Sequence, residues 1–241
     1  MDALILRFDA PLMSFGGVMV DQHGPTDHFP GLAMLTGLLA NALGYRHGDF
    51  DRLQALQARI QFAARWDVEP EHLVDYHTVD LGQEKMRYAG WTTRGVAEHR
   101  AGGSVAKFGT HQRYRHYWAN GVMTLAIAVE GDGMPNLDEL QNALSRPARP
   151  LFIGRKACLP TAPILSARVQ AANLLEALCS YPAHPRIVEN DEETLAACWP
   201  ANIPGSNHAR IVSRYDQREW CNQIHAGRRD QHEGRIGRPD S

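Results

Sequence analysis

An α+β fold is predicted for this 241-residue chain, and three observations predict it. Three apolar runs of strand length, Ala3–Phe8, Ile60–Trp66 and Val122–Val129, are spread along the first half. Leucines at helical spacing follow the first run, and a helix-capping signal follows the last. Collapsed, residues 1–153 read β-α-β, an insertion, then β-α-β, which is the order of a ferredoxin-like or RRM-type core.

Each element has its own local reason. Ala3–Phe8 reads as a buried strand that stops at Asp9-Ala10-Pro11, and Leu12–His28 is irregular and glycine-rich. Pro30 suits a first helical position. After it Leu32, Leu35, Leu38, Leu39, Ala42 and Leu43 recur on one helical face until Gly44 supplies a left-handed stop. Asp49 or Asp51 is placed to cap a shorter helix through Leu53 and Leu56. Asn136-Leu137-Asp138-Glu139 is a capping box opening a helix that carries Leu137, Leu140 and Leu144 and ends at Pro147–Pro150. Leu151–Ile153 then reads as extended chain, the last strand of the core.

The expected division is an RRM-like core over 1–160, with a long β-hairpin insertion, a thumb, at about 76–118. A small C-terminal β-rich part follows over 161–221, with a helix near Val169–Leu178 and strands near Arg186–Glu189 and Ala209–Arg214. Residues 222–241 hold Gly227, Gly234, Gly237, Pro239 and four arginines with almost nothing apolar, and read as a flexible tail.

Bulk composition narrows the function. The apolar share of 44% is that of an ordinary globular protein, and no apolar run approaches the roughly 18 residues of a membrane span. Met1-Asp2-Ala3-Leu4 lacks the basic flank of an export signal. Cys158, Cys179, Cys198 and Cys221 form no Cys-x-x-Cys pair, so they read as reduced thiols of a cytoplasmic protein with no zinc site and no cofactor.

One segment breaks this uniformity. Between Glu84 and His116, seven cations (Lys85, Arg87, Arg94, Arg100, Lys107, Arg113, Arg115) face two carboxylates, a local +5 in a chain of net charge −2. Tyr88, Trp91, Phe108 and Tyr114 run through it, with Tyr117 and Trp118 just beyond. Cations and flat rings together supply phosphate contacts and stacking faces, which is what gripping a single-stranded nucleic acid requires. A solvated, charge-balanced loop has the same composition.

Several segments taken together resemble one family. Leu4-Ile5-Leu6-Arg7-Phe8 leads into Pro11-Leu12-Met13-Ser14-Phe15-Gly16, and Phe29-Pro30 precedes the leucine-rich helix. Asp75-Tyr76-His77-Thr78-Val79 stands at the mouth of the insertion. Ile153-Gly154-Arg155-Lys156-Ala157-Cys158-Leu159-Pro160 and Arg218-Glu219-Trp220 follow. Over about residues 3–220 the chain resembles the CasD family of the RAMP superfamily. CasD is the subunit that caps the 5′ handle of the crRNA in type I-E CRISPR surveillance complexes (Cascade). The resemblance implies a structural, non-catalytic role in antiviral defence, with the backbone subunit CasC and the large subunit CasA as neighbours. Target DNA would be met only indirectly, through the complex. It also implies a thumb arginine at Arg115, an aromatic offered to the handle at Phe152, and a glycine-basic loop at Gly154-Arg155-Lys156. Three features depart from the family: Gly31, Leu32 and Ala33 replace Thr, a basic residue and Ser; the insertion is long around Arg100–Gly109; and the stretch after Cys221 matches nothing.

The candidate RNA contacts are therefore Phe15, Tyr76, His77, Lys85, Arg87, Arg94, Arg100, Lys107, Arg113, Arg115, Phe152, Gly154, Arg155 and Lys156. Arg113 and Arg115, two apart in a strand, share one face. They are phosphate clamps or cross-strand partners of Glu84 and Glu98. Arg155 and Lys156 bind a phosphate or form a solvated turn, and Phe152 is a stacking ring or core. Tyr76-His77 is a contact or a hydrogen-bonded hinge. His77, His99, His111 and His116 leave one enzyme alternative open, a metal-independent endoribonuclease that processes precursor crRNA by general acid–base chemistry.

Overall fold

Leu4, Leu6 and Phe8 point to one face of strand β1 (Asp2–Asp9) and Ala3 and Ile5 to the other, and that alternation organises the protein. The computed structural model describes residues 1–19, 21–80, 90–91, 97–98, 110–186, 193–205 and 209–239. Short strands β2 (Leu12–Met13) and β3 (His23–Gly24) follow β1. Helices α1 (Leu32–Ala42) and α2 (Phe50–Arg59) come next, and then β4 (Ile60–Val68) and β5 (Glu71–Asp80). Beyond them lie β6 (Gly90–Trp91), β7 (Ala97–Glu98), β8 (Thr110–Ala119), β9 (Val122–Val129), α3 (Leu137–Ser145), β10 (Leu165–Gln170) and α4 (Leu174–Ser180). The chain closes with β11 (Thr194–Pro200), β12 (Arg210–Glu219) and β13 (Ile224–Gly237).

Seven of these strands form one antiparallel sheet in the order β10-β1-β9-β4-β11-β13-β12. The register sets Leu4 beside Ile127 and Ile127 beside Phe62, so each row of the sheet is apolar on the face that α1, α2 and α3 cover. Leu35, Leu39 and Leu56 from the helices are fully buried there, each contributing about 1.5–3 kcal/mol. The opposite face, with Ala3, Ile5, Ala63 and Ala126, is small-residue surface on which Leu174, Ala177 and Leu178 of α4 pack. Both faces are covered, which is why β1 and β9 read as nearly continuous apolar runs.

The helix signals act as expected. Gly44 takes φ +78° after α1. The Asn136 side chain accepts from the Glu139 amide at 2.9 Å while Glu139 accepts from the Asn136 amide at 3.2 Å, completing the capping box of α3. Asp49 precedes α2, but its carboxylate accepts the Arg46 amide instead. No helix among the described residues is long and apolar enough to cross a membrane.

Three expectations are corrected. Leu151–Ile153 is not the fourth strand; Ile153 is buried, but its N–H donates to the Cys158 carbonyl and closes a loop, and β10 runs fourteen residues later. The helix expected from Val169 starts only at Leu174, because Asn173 accepts the Glu176 amide and Val169 belongs to β10. The stretch 222–241 is no tail through Gly237: β13 pairs with β11 on one side and β12 on the other. Its cohesion comes from backbone pairing, from cross-strand charge pairs such as Arg214–Glu233 at 2.6 Å, and from Ile236, its one buried aliphatic side chain. β12 coincides with the strand expected near Ala209–Arg214 and extends it, whereas residues 187–189 lie outside the described residues.

Candidate nucleic-acid interface

Strand β8 is the hub of a second sheet. It pairs antiparallel with β5 over ten rungs, from Glu71↔Ala119 to Asp80↔Thr110. It also pairs with β2 through Met13↔Trp118, and in parallel with β3 through His23↔Tyr114 and Gly24↔Arg115. The two-residue period of the strand sends Arg113, Arg115 and Tyr117 to one face, opposite His77, Asp75 and Leu73. Tyr114, His116 and Trp118 go to the other, opposite Tyr76, Val74 and His72.

On the first face Asp75 is hydrogen-bonded to His77, so its carboxylate is already engaged. Among the described residues Arg115 is exposed and makes no ion pair, and the Arg113 guanidinium donates to the Asp21 carbonyl at 3.4 Å. Tyr117 is buried, and the guanidinium of Arg155 lies 4.7 Å from its ring centre.

Arg155 ties this sheet to the loop after α3. Its two terminal nitrogens donate to the His116 carbonyl at 3.1 Å and the Gly24 carbonyl at 2.9 Å. The preceding Gly154 has φ +92°, and a Cβ there would stand 1.6 Å from the Ser14 carbonyl oxygen. Only glycine fits, because the loop backbone lies directly on β2. Ser14 N–H donates to the Ile153 carbonyl at 3.2 Å across the same contact.

Beside this junction opens a groove of about 1120 Å³. That exceeds the roughly 300–1,000 Å³ of a small-molecule site and suits a segment of polymer. Its walls are the 14–19 loop, α1, the 149–155 loop and β12. Five arginines line it (Arg46, Arg149, Arg155, Arg214, Arg218), against Asp27 and Asp216. Four of the five are anchored. Arg149 donates to the Gly44 and Tyr45 carbonyls at the end of α1, and Arg214 pairs with Glu233. Arg218 donates to the Gln223 carbonyl at 3.4 Å and its guanidinium lies 5.3 Å from the Trp220 ring, and Arg155 is held as described. Arg46 is exposed and free of ion pairs among the described residues. Burial pushes the Asp27 carboxyl above the usual carboxylate range, with Arg214 opposing and the Asp216 and Glu233 charges reinforcing. Val18, Met19 and Tyr215 are exposed on the groove's rim.

The structure sorts the residues singled out in the sequence. Phe152, Gly154 and Arg155 meet at the groove, and Arg113, Arg115, Tyr76 and His77 share the β5–β8 ladder. Lys156 is exposed on the loop after Arg155. Phe15 is 6% exposed, its ring centre 5.9 Å from Trp66 and 6.4 Å from Phe8, so the ring belongs to the core and not to a stacking surface. Lys85, Arg87, Arg94, Arg100 and Lys107 lie outside the described residues. Arg46, Arg214 and Tyr215 were not legible as groove residues. Arg218-Glu219-Trp220 had stood out in the sequence, but only as a family marker. Among the described residues no three His, Cys, Asp or Glu side chains gather as a metal cage.

The same chain-wide pattern is shared with known proteins. A family model described as CRISPR-associated protein (Cas_Cas5) matches residues 3–232. The chain belongs to that family. The CRISPR system Cascade subunit CasD of Escherichia coli (strain K12) is 31% identical over 225 residues, covering 90% of this chain and 93% of that protein. Two solved structures share the fold. One, titled CRISPR RNA-guided surveillance complex, has a TM-score of 0.65 at 23% identity over 98% of this chain and 90% of that one. The other, titled Crystal structure of Cas protein, has a TM-score of 0.60 at 21% identity over 98% and 95%. The Cas5 match runs through β12 and most of β13, so the C-terminal strands belong to the family unit.

Proposed function

We propose that this Cas5-family chain is a non-catalytic, RNA-binding subunit of a cytoplasmic type I-E Cascade complex. It holds the 5′ handle of the crRNA and docks the backbone subunit CasC and the large subunit CasA, so that target DNA is read by guide pairing. The observation that carries this reading is the arginine-lined groove beside Gly154-Arg155, with Arg115 unpaired on the adjoining sheet face among the described residues. The likeness to a Cascade subunit supplies the setting. The strand order β10-β1-β9-β4, with α1 and α3 on one face, supports a ferredoxin-like core, and the β5–β8 ladder supports a thumb rising from it. Fixed guanidiniums along a groove neutralise phosphates without being reordered on binding.

The endoribonuclease alternative draws on one observation, the convergence of His72 and His116. Their ring nitrogens are 3.0 Å apart and bonded to each other. An acid–base pair must stand on either side of a phosphodiester, and this pair leaves no room for one.

The test measures binding of the full chain to a single-stranded handle RNA across a salt series. Arg46→Ala, Arg115→Ala and Lys156→Ala combined should weaken binding and flatten the salt dependence by roughly 0.7 per lost phosphate contact. Unchanged affinity and slope would remove the proposal. Metal-free scission of a repeat RNA at the handle's 5′ boundary would overturn its non-catalytic part.

A further inference from the structure

The second face of the β5–β8 sheet carries rings where the first carries arginines. They form a line across three strands. Tyr76 lies 5.0 Å from Tyr114, and Tyr114 is stacked on His23 at 4.7 Å with the planes 9° apart. His23 is 5.9 Å from His116, His116 is 5.0 Å from His72, and His72 is 5.4 Å from Trp118. The register explains the row, since Tyr76↔Tyr114 and His72↔Trp118 are direct cross-strand partners and β3 sets His23 against Tyr114.

The outer members of this row face solvent, while Tyr114, His116 and Trp118 are half-buried. Tyr76 is 50% and Val74 45% exposed, and His23 and His72 are exposed beside them. Two features define what it takes. Among the described side chains of β3, β5 and β8, this face presents rings and no Lys or Arg. Imidazole and phenol rings are polar at their edges and flat on their faces, which suits another flat polar ring better than an aliphatic side chain. The row also continues from the groove, because Arg155 donates to the backbone of both Gly24 and His116 within it.

We propose that this face is a stacking platform for unpaired nucleobases of the guide strand, with Tyr76 and His23 as the contact rings. Tyr114, His116, His72 and Trp118 back them up as a rigid row. The proposal rests on the RNA-binding reading above and adds to it a site where bases, not phosphates, are held. A base leaving the groove on the Arg155 side meets this surface next.

The probe is a single-stranded RNA carrying 2-aminopurine at successive positions, whose fluorescence is quenched when the base stacks. With the full chain, one or two adjacent positions should be quenched. Tyr76→Leu keeps an apolar side chain but removes the ring. It should abolish that quench and weaken binding about 5- to 100-fold, the loss of one stacked base. Tyr76→Trp should restore both, and His23→Ala should reproduce the loss at a neighbouring position. Both residues are exposed, so unchanged melting checks the fold.

If Tyr76→Leu and His23→Ala leave affinity and quench intact while the combined Arg46→Ala, Arg115→Ala and Lys156→Ala variant still weakens binding, the platform is wrong and the RNA reading stands. If the wild-type chain binds no RNA, both fail. If Tyr76→Leu instead releases neighbouring subunits with RNA binding unchanged, the face docks protein and the proposal is overturned.

Discussion

The carboxylate of Asp216, in β12, accepts the amide of Leu32, 184 residues earlier, at 2.9 Å and so caps the N-terminus of α1. Helix α1 has no cap of its own, since Gly31 offers no side chain and its first turn holds no acid. Asp216 takes over that role, held by Arg229 of β13 at 2.6 Å. Gly31 makes the approach possible, because a Cβ there would lie 3.2 Å from the Asp216 Cβ. The departure from the family pattern at Gly31-Leu32-Ala33 thus has a structural partner.

Asp216→Ala should destabilise the protein by about 1–2 kcal/mol, the size of a lost helix cap, with a further cost for Arg229 left half-buried and alone. Asp216→Asn keeps one acceptor and should lose less. Urea unfolding of the two variants reads the difference, and equal stability of Asp216→Ala and wild type would refute the cap.

A second remote contact crosses the sheet's α4 face. Arg65 and Asp67 are both buried and bonded at 2.6 Å, and Thr124 donates to the same carboxylate at 2.7 Å. Arg65 also donates to the Tyr181 and Pro182 carbonyls, docking the chain after α4 onto the sheet. Arg7 at 3.7 Å and the His184 amide at 3.0 Å complete the shell of the Asp67 carboxylate. Arg65→Ala and Thr124→Val should therefore each cost about 1–3 kcal/mol, by leaving a buried carboxylate oxygen one donor short. Denaturation midpoints check both.

These two contacts mark where sequence reading stops. Periodicity and capping chemistry are local, so α1, α3, β1, β4 and β9 were legible from Leu32–Leu43, Asn136–Glu139 and the apolar runs. β13 was not, because its stability comes from cross-strand partners that no local period reveals: Arg229 meets Asp216 and Glu233 meets Arg214 only once β12 and β13 pair. Its glycines read as looseness, yet a Cβ at Gly234 would lie 3.0 Å from Ala209 Cα, so that glycine serves close packing. For the site, the pairing of Arg113 with Arg115 on one face followed from strand period alone. The groove did not, since it joins four segments that no spacing rule links.

Thiol chemistry follows burial. Cys158 and Cys198 are buried, and burial pushes the Cys198 thiol up to about 12. Burial also raises Cys158, with the Arg155 backbone bond opposing, and raises half-buried Cys179 against the Arg65 charge. Cys221 is exposed. Alkylation of the native protein at pH 8 should mark Cys221 alone on a fast timescale, with Cys158 and Cys198 marked only after unfolding. Peptide mapping by mass decides it; rapid labelling of Cys198 would contradict the packing of β11.

Acid should destabilise the fold through three histidines. His28, His116 and His184 all titrate below the ordinary histidine value in the folded chain. Burial is the first cause in each, joined at His116 by the neighbouring His72, His23 and Arg155 charges. Unfolding frees these rings to take up protons near pH about 6.5, so the unfolded state binds more protons as pH falls through that point. Their stabilisation is complete above that pH and is lost progressively below it, toward their lower folded values. Melting temperature should therefore fall between pH about 7.5 and 5.5. A flat profile there would mean the three rings are freely solvated.

Gly154 gives the sharpest single test of the groove's construction. Its φ of +92° is strained for any L side chain, and a methyl would collide with the Ser14 carbonyl at 1.6 Å, so the 151–158 loop must lift away from β2. Lifting it also pulls Arg155 from the Gly24 and His116 carbonyls that fix the β3–β8 pairing. Gly154→Ala should cost about 2 kcal/mol or more and loosen the His23–Tyr114 stack. Gly48→Ala, where a Cβ meets nothing within 4 Å, is the control and should be neutral. Chemical denaturation measures the first effect. The Tyr114 ring resonances, shifted by the stacked imidazole, measure the second, and Gly154→Ala with wild-type stability and unshifted resonances would refute the loop contact.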